Sequence, residues 1–185
     1  MDGLERALRR LGALNDLILG LARALAWALV AGMTVAILLQ VLFRYGLGGA
    51  LTWSEEAARF MMIWMTFLVA PIAYRLGANV NLDIVVSMLG GRPLETLKLV
   101  INLLIVLFVV TFFVETFGLI GRSFAMKAST LPVQMGWVYM ILPTSMVLMA
   151  LVALELIGRN VVALIDPDHP AARPPGAAQD RLLVD

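Results

Sequence analysis

The sequence predicts an all-α membrane protein with four transmembrane helices. Of its 185 residues, 61% are hydrophobic and 15% are charged, whereas a soluble domain carries about a quarter charged residues. The charges are also clustered, which leaves four long uncharged stretches at 24–43, 60–74, 99–114 and 128–154. About 20 helical residues cross a bilayer core, and lipid offers an open backbone no hydrogen-bond partner.

The N-terminal residues 1–19 predict a basic amphipathic segment on the cytoplasmic membrane surface. Leu4, Leu8 and Leu11 recur near helical spacing, with arginines between them. The first span is expected at about 20–43. It has a small residue at every fourth position, and such a ridge lets another helix approach closely. The ridge consists of Gly20, Ala24, Ala28, Gly32 and Ala36. The alternative is that this stretch is simply rich in alanine.

The second span is expected at about 53–75, after a turn with three glycines. Thr52 and Glu55 have the spacing of a capping box. The carboxylates of Glu55 and Glu56 stand where the helix dipole favours negative charge. Glu55 precedes Arg59 by four residues, so their side chains can pair on one face of the helix.

Residues 81–90 predict a short interfacial helix between the second and third spans. Their apolar side chains share one face, and so few residues cannot cross the bilayer. The third span is expected at about 94–120 and the fourth at about 135–157. Pro71 and Pro143 predict bends in the second and fourth spans.

The lysines and arginines predict that both termini of this four-span chain are cytoplasmic. Ten of them fall on the side of the termini: Arg6, Arg9, Arg10, Arg23, Arg75, Arg92, Lys98, Arg159, Arg173 and Arg181. Four fall on the other side: Arg44, Arg59, Arg122 and Lys127. The tail 161–185 is rich in proline and charge and is expected to be disordered.

The sequence contains no recognisable catalytic, cofactor or metal-binding pattern. It has no cysteine, and its single histidine, His169, stands in the proline-rich tail. A thiolate nucleophile and a cysteine metal site are therefore excluded. No phosphate-binding loop is present, and a net charge of +1 provides no basic surface for nucleic acid. These features predict a non-enzymatic membrane subunit that works with a partner.

The charges within the spans are expected near the span ends. Arg59 and Glu115 lie about 9 Å from those ends and can reach lipid headgroups or each other. Glu155 and Arg159 are four residues apart and are expected to form a local pair. Glu115 also leaves open an alternative function, a self-contained oligomeric carrier or channel with this carboxylate on a shared axis.

Several strings in the chain are more specific than the hydropathy pattern. Phe43-Arg44-Tyr45 precedes the second span, and Trp53-Ser-Glu-Glu-Ala-Ala-Arg59 begins it. Trp64 and Ala73-Tyr74-Arg75 follow, and the fourth span opens with Gly136-Trp-Val-Tyr-Met-Ile-Leu-Pro143. Together, over about 20–160, these strings resemble the small membrane subunit of tripartite ATP-independent periplasmic (TRAP) transporters, the DctQ-type subunit.

This resemblance implies a division of labour between subunits. A large membrane subunit would carry the substrate, an organic acid, with sodium coupling, and a periplasmic solute-binding protein would deliver it. The small subunit would scaffold the large one and help to dock the binding protein, without a cofactor of its own. The resemblance implies that the glycine–alanine ridge is a packing face. The residues expected to stabilise subunit contacts are Trp53, Glu55, Glu56, Arg59 and Trp137.

Overall fold

The computed structural model describes residues 2–80 and 92–165, and nearly all of these are helical. The helices are α1 (Asp2–Gly46), α2 (Thr52–Val80), α3 (Arg92–Ser123), α4 (Met135–Tyr139) and α5 (Ile141–Ile165). Four stretches are long and apolar enough to cross a membrane: Glu5–Gly46, Thr52–Leu76, Thr96–Ser123 and Met135–Leu164. The predicted fold class, an all-α protein with four candidate spans, is confirmed.

Helix α1 is longer than the first predicted span. It runs without interruption for 45 residues, which is about 68 Å at 1.5 Å per residue. The boundary expected near residue 19 is therefore not a break in the helix. Leucine and alanine dominate the sequence around Gly20, and these strong helix formers outweigh one glycine. The placement of 1–19 on the membrane surface stays a prediction.

The chain divides into two compact units. The first unit comprises Met1–Leu19, Pro71–Thr111 and Val147–Asp185, and the second comprises Gly20–Ala70 and Phe112–Met146. In the first unit, α1 and α5 pack closely where Leu8 meets Gly158. A Cβ atom added at Gly158 would lie 2.5 Å from Cδ2 of Leu8, so a side chain at this position would require the end of the Leu8 side chain to move.

The second unit is held by contacts of α2 with its neighbours. The position of a Cβ atom on Gly32 of α1 is 3.2 Å from the sulfur of Met61 in α2. The indole Nε1 of Trp64 donates a hydrogen bond of 3.0 Å to the carbonyl of Val138 in α4. The small residue Gly32 thus permits close packing of α1 on α2, and Trp64 fixes α4.

The two prolines have different effects on the helices. Pro71 has no amide hydrogen, so the carbonyl of Phe67 loses its usual donor within α2. The hydroxyl of Ser145 donates to that carbonyl at 2.6 Å, and α2 continues through the proline. Pro143 is the third residue of α5, where an amide has no helical acceptor. The fourth candidate span is divided into α4 and α5 between Tyr139 and Ile141, and the bend expected at Pro143 stays a prediction.

Two further predictions fall outside the described residues. They are the short interfacial helix at 81–90 and most of the tail 161–185. Helix α3 ends three residues beyond its predicted end, and α5 continues to Ile165.

Helices α1 and α3 expose large apolar side chains over most of their length. In the most hydrophobic 18-residue stretch of each helix, only 11% of the stretch is buried inside the protein. Examples are Leu21, Trp27, Leu107 and Val114, all of which are more than 60% exposed. Apolar surfaces of this size are rare on soluble monomers. In a bilayer they contact lipid or the helices of another chain.

Candidate functional site

Five side chains of the first unit form an ion cluster around the buried Glu155: Asn15, Asp16, Arg75, Glu155 and Arg159. Asp16 lies at the exposed edge of this cluster, with 72% of its side chain exposed. Glu155 is completely buried. Its Oε1 lies 3.0 Å from Nη2 of Arg75 and 2.9 Å from Nη2 of Arg159. The other guanidinium nitrogen of Arg75, Nη1, lies 2.6 Å from Oδ1 of Asp16. The cluster contains two acidic and two basic side chains, so its formal charges balance.

Asn15 satisfies the remaining oxygen of Glu155. Its amide nitrogen donates to Oε2 of Glu155 at 2.6 Å and to the carbonyl of Leu151 at 3.3 Å. A buried carboxylate is stable only when it is paired and hydrogen-bonded. The ion cluster meets that requirement with side chains of α1, α2 and α5. It therefore joins these helices and leaves neither oxygen of Glu155 without a partner.

The predicted pair between Glu155 and Arg159 is confirmed, but the sequence interpretation missed the rest of the cluster. Arg75 was expected at a cytoplasmic helix end, whereas its side chain is 9% exposed. One signal was available: Glu155 lies between Leu154 and Leu156 after 27 uncharged residues. A charge in such a setting almost always faces protein.

A neutral contact joins α2 and α3 in the first unit. The hydroxyl of Tyr74 donates to Oδ1 of Asn102, and Asn102 is itself buried. The amide of Asn102 thus has a protein partner within an apolar helix.

In the second unit, Glu56 binds the segment that connects α3 to α4. Its carboxylate accepts hydrogen bonds from the amides of Ser129 (2.8 Å), Thr130 (2.7 Å) and Leu131 (3.1 Å) and from the Thr130 hydroxyl. Three consecutive amides converge on one side chain, an arrangement that fixes a loop. Glu56 therefore has a role within the chain beyond its favourable place at the helix start.

The start of α2 differs in detail from the predicted capping box. The amide and the hydroxyl of Ser54 both donate to the carbonyl of Leu51, at 3.3 and 2.7 Å. Ser54 is completely buried. The serine between Thr52 and Glu55 thus binds the backbone carbonyl that precedes α2.

The other predicted contact residues lie at accessible positions. Glu55 and Arg59 form the expected pair at 3.4 Å, and both side chains are more than 60% exposed. Trp53 is exposed. Trp137 is exposed as well, and its ring meets that of Phe124 edge to face with centroids 5.7 Å apart. Their role toward other subunits stays a prediction.

Among the described residues, the glycine–alanine ridge of α1 makes close contacts at one end only. Ala36 is buried and Gly32 touches Met61. The other three ridge residues are exposed: Gly20, Ala24 and Ala28. The small buried residues in that part of α1 are instead Ala22 and Ala26. The exposed part of the ridge is available to another helix.

Within the described residues, no group of three or more histidine, aspartate or glutamate side chains is placed to hold a metal ion. An open groove of about 460 Å³ lies beside the segment that Glu56 binds. It is lined by Lys127, Pro132, Val133, Gln134 and Trp137.

Comparison with known proteins agrees with these features. The family described as "Tripartite ATP-independent periplasmic transporters, DctQ component" matches residues 33–163. The isethionate TRAP transporter permease protein DctMQ of Oleidesulfovibrio alaskensis is 28% identical over 138 residues, which cover 69% of this chain and 22% of that protein. A Haemophilus influenzae protein named as a TRAP transporter small permease is 26% identical over 80 residues, 43% of this chain and 50% of its own length. Each alignment thus spans half of its relative or less. Because the family match covers more than half of the chain, the protein belongs to the DctQ component family of TRAP transporters.

Proposed function

We propose that this chain is the non-catalytic small membrane subunit of a TRAP-type secondary transporter. It scaffolds a large subunit that carries the substrate, and it helps to dock a periplasmic solute-binding protein. The complex takes up an organic acid, coupled to sodium in the large subunit. The observation that carries this proposal is the internal pairing of the ion cluster.

Charged side chains within a membrane protein are costly, and they are tolerated where they face protein and pair with one another. Glu155 is completely buried against Arg75, Arg159 and Asn15. Its contacts join helices of the same chain, as a scaffold requires. The described part of the chain also has no cluster of metal-ligating side chains. These features favour support of a partner over transport by this chain alone.

The exposed apolar faces of α1 and α3 suit a subunit that is embedded beside another membrane protein. Among the residues that the structure describes, nothing covers much of α1 and α3, so these surfaces are available to a partner and to lipid. The O. alaskensis relative is named DctMQ, and the aligned region is only 22% of its length. The name and the low coverage both support a large second component beside the region of that relative that aligns with this chain. That relative is also named for isethionate, a small organic acid.

The docking role is assigned to the segment between α3 and α4. With both termini cytoplasmic, as the basic residues favour, this segment faces the periplasm. Its backbone is fixed by Glu56. Lys127 and Trp137 line the neighbouring groove, and both are exposed. A cation beside an aromatic ring on a fixed loop can contact an acidic surface.

Purification from native membranes tests this function. We expect the tagged chain to bring with it a larger polytopic membrane protein in a constant ratio. Deletion of the chain should abolish uptake of the acid while the large protein is still made, and re-expression should restore uptake. Recovery of the chain alone would contradict the proposal. If the isolated chain transported in liposomes as a defined oligomer, the self-contained carrier or channel would be correct instead.

A further inference from the structure

Glu115 is an acidic residue on the apolar surface of α3, in the C-terminal part of the helix. It lies eight residues before the end of α3, or about 12 Å along the helix axis. Its neighbours Val114 and Phe117 are 63% and 58% exposed, and Glu115 is exposed as well. Helix α3 is apolar enough to cross a membrane. This carboxylate is thus presented toward the surroundings of the protein within a candidate span.

The other described carboxylate side chains all have partners within the chain. These are Glu5 with Arg9, Asp16 with Arg75, Glu55 with Arg59, Glu56 with the loop amides, and Glu155 with two arginines. Glu115 has no ion pair or hydrogen bond among the described side chains. An unpaired carboxylate facing hydrocarbon is unfavourable, and such residues usually face protein and pair there.

The surface next to Glu115 can accept the close approach of another helix. Gly118 lies three residues further along α3 and on the same side. A Cβ atom at Gly118 would meet nothing within 4 Å. The carbonyl of Gly118 accepts a hydrogen bond of 3.2 Å from Nε of Arg122, one turn further along the same helix. Small residues at such positions let the backbones of two membrane helices approach closely. An acidic side chain next to a glycine is complementary in charge and shape to a partner helix that carries a basic side chain.

The geometry points to a docking surface formed by Glu115 and Gly118 on α3. Its occupant is a transmembrane helix of the larger subunit, which places a lysine or arginine opposite Glu115 and packs over Gly118. This inference rests on the proposed function, because it assigns the large subunit to one face of one helix. The exposed glutamate is paired in the assembled complex.

The absence of cysteine from the chain makes a direct test possible. Gly118→Cys and Phe117→Cys are compared in the full-length chain in native membranes, each labelled with a benzophenone maleimide and irradiated. Phe117 is also exposed, but it points about 160° away from Glu115 around the helix. We expect a covalent adduct with the larger membrane protein from position 118 and several-fold less from position 117.

Glu115→Gln provides a second readout, with Glu5→Gln as the matched control. The glutamine variant keeps the size of the side chain and removes its charge. At limiting concentration we expect about tenfold less co-purified large subunit, which corresponds to about 1.4 kcal/mol. Glu5→Gln should leave the yield unchanged.

The possible results separate this inference from the proposed function. If the wild-type chain brings no larger protein with it, both fail. If it does, but position 118 labels only lipid or a second copy of this chain, the docking surface is wrong and the proposed function stands. A wild-type yield for Glu115→Gln would also overturn the pairing.

Discussion

The two units of the chain are stabilised by different chemistry. The first unit contains the ion cluster, in which Glu155 is completely buried between two arginines. In the second unit, the main polar contacts between helices are neutral and involve backbone carbonyls, from Trp64 to Val138 and from Ser145 to Phe67. The carboxylate of Glu56 is also in the second unit, but it binds an exposed loop.

This difference predicts how each unit responds to substitution. Removal of one member of a buried charged group leaves the others uncompensated, which is strongly destabilising. Loss of a neutral hydrogen bond leaves one unsatisfied backbone group, which has a smaller effect. Contacts at exposed positions contribute least. A series of variants from the ion cluster to the exposed residues therefore tests whether the contrast between the units is correct.

The largest effect is expected for Glu155→Gln. This change keeps the shape of the side chain but leaves Arg75 and Arg159 without their shared carboxylate. We expect the free energy of unfolding in mixed micelles to fall by about 3–5 kcal/mol. Glu55→Gln, in an exposed pair, is the control. An equal effect of the two substitutions would show that the ion cluster contributes no more than a surface pair.

A double variant makes the first prediction sharper. Arg75→Met and Glu155→Met each remove one side of the Arg75–Glu155 ion pair and leave the other charge with one partner fewer, whereas the combination removes both charges. The double variant should lose less stability than the sum of the single variants, with a coupling energy of about 0.5–3 kcal/mol in the same unfolding assay. Strict additivity would mean that the two side chains do not interact.

An intermediate effect is expected for Ser145→Ala. The carbonyl of Phe67 has no helical donor because Pro71 lacks an amide hydrogen, so its polar partner is the Ser145 hydroxyl. Loss of this hydroxyl should lower the free energy of unfolding by about 1–3 kcal/mol. The neighbouring Thr144→Ala removes an exposed hydroxyl that bonds within its own turn and should change stability little. Similar losses for both would contradict this role of Ser145.

Glu56→Gln should act locally. The glutamine side chain replaces one acceptor oxygen with an NH₂ group, so the amides of Ser129, Thr130 and Leu131 cannot all keep their present acceptors. We expect faster amide hydrogen exchange at these three residues, with the unfolding transition of the whole chain unchanged. Unaltered exchange would show that the loop keeps its conformation without the carboxylate.

The smallest effect on stability is expected for Arg59→Ala, within about 0.5 kcal/mol. Its pair with Glu55 is more than 60% exposed on both sides. If Arg59 stabilises a subunit contact, the same variant should reduce the yield of the complex or the rate of uptake. A normal yield and normal uptake would reject that role.

The sequence predicted the helices well because their signal is local. The uncharged stretches gave four spans close to their observed positions, and i, i+4 spacing gave the pairs Glu55–Arg59 and Glu155–Arg159.

The ion cluster could not be predicted in the same way, because its members are far apart in sequence. Arg75 is 59 residues from Asp16 and 80 residues from Glu155. Nothing near Arg75 in the sequence distinguishes a cytoplasmic arginine from one that three helices enclose. Its burial also weakens the argument for orientation. Without Arg75 and Arg159, the basic residues favour cytoplasmic termini by eight to four.

The separation of Arg75 and Glu155 also sets the order in which the ion cluster forms during synthesis. At about 5–20 residues per second, Glu155 is made several seconds after Arg75. During that interval Arg75 has Asp16, already synthesised, as its acidic partner. The second acidic partner arrives only with α5. The complete cluster therefore forms only after Glu155 has been translated, and a chain truncated before α5 retains an arginine without its buried counter-charge.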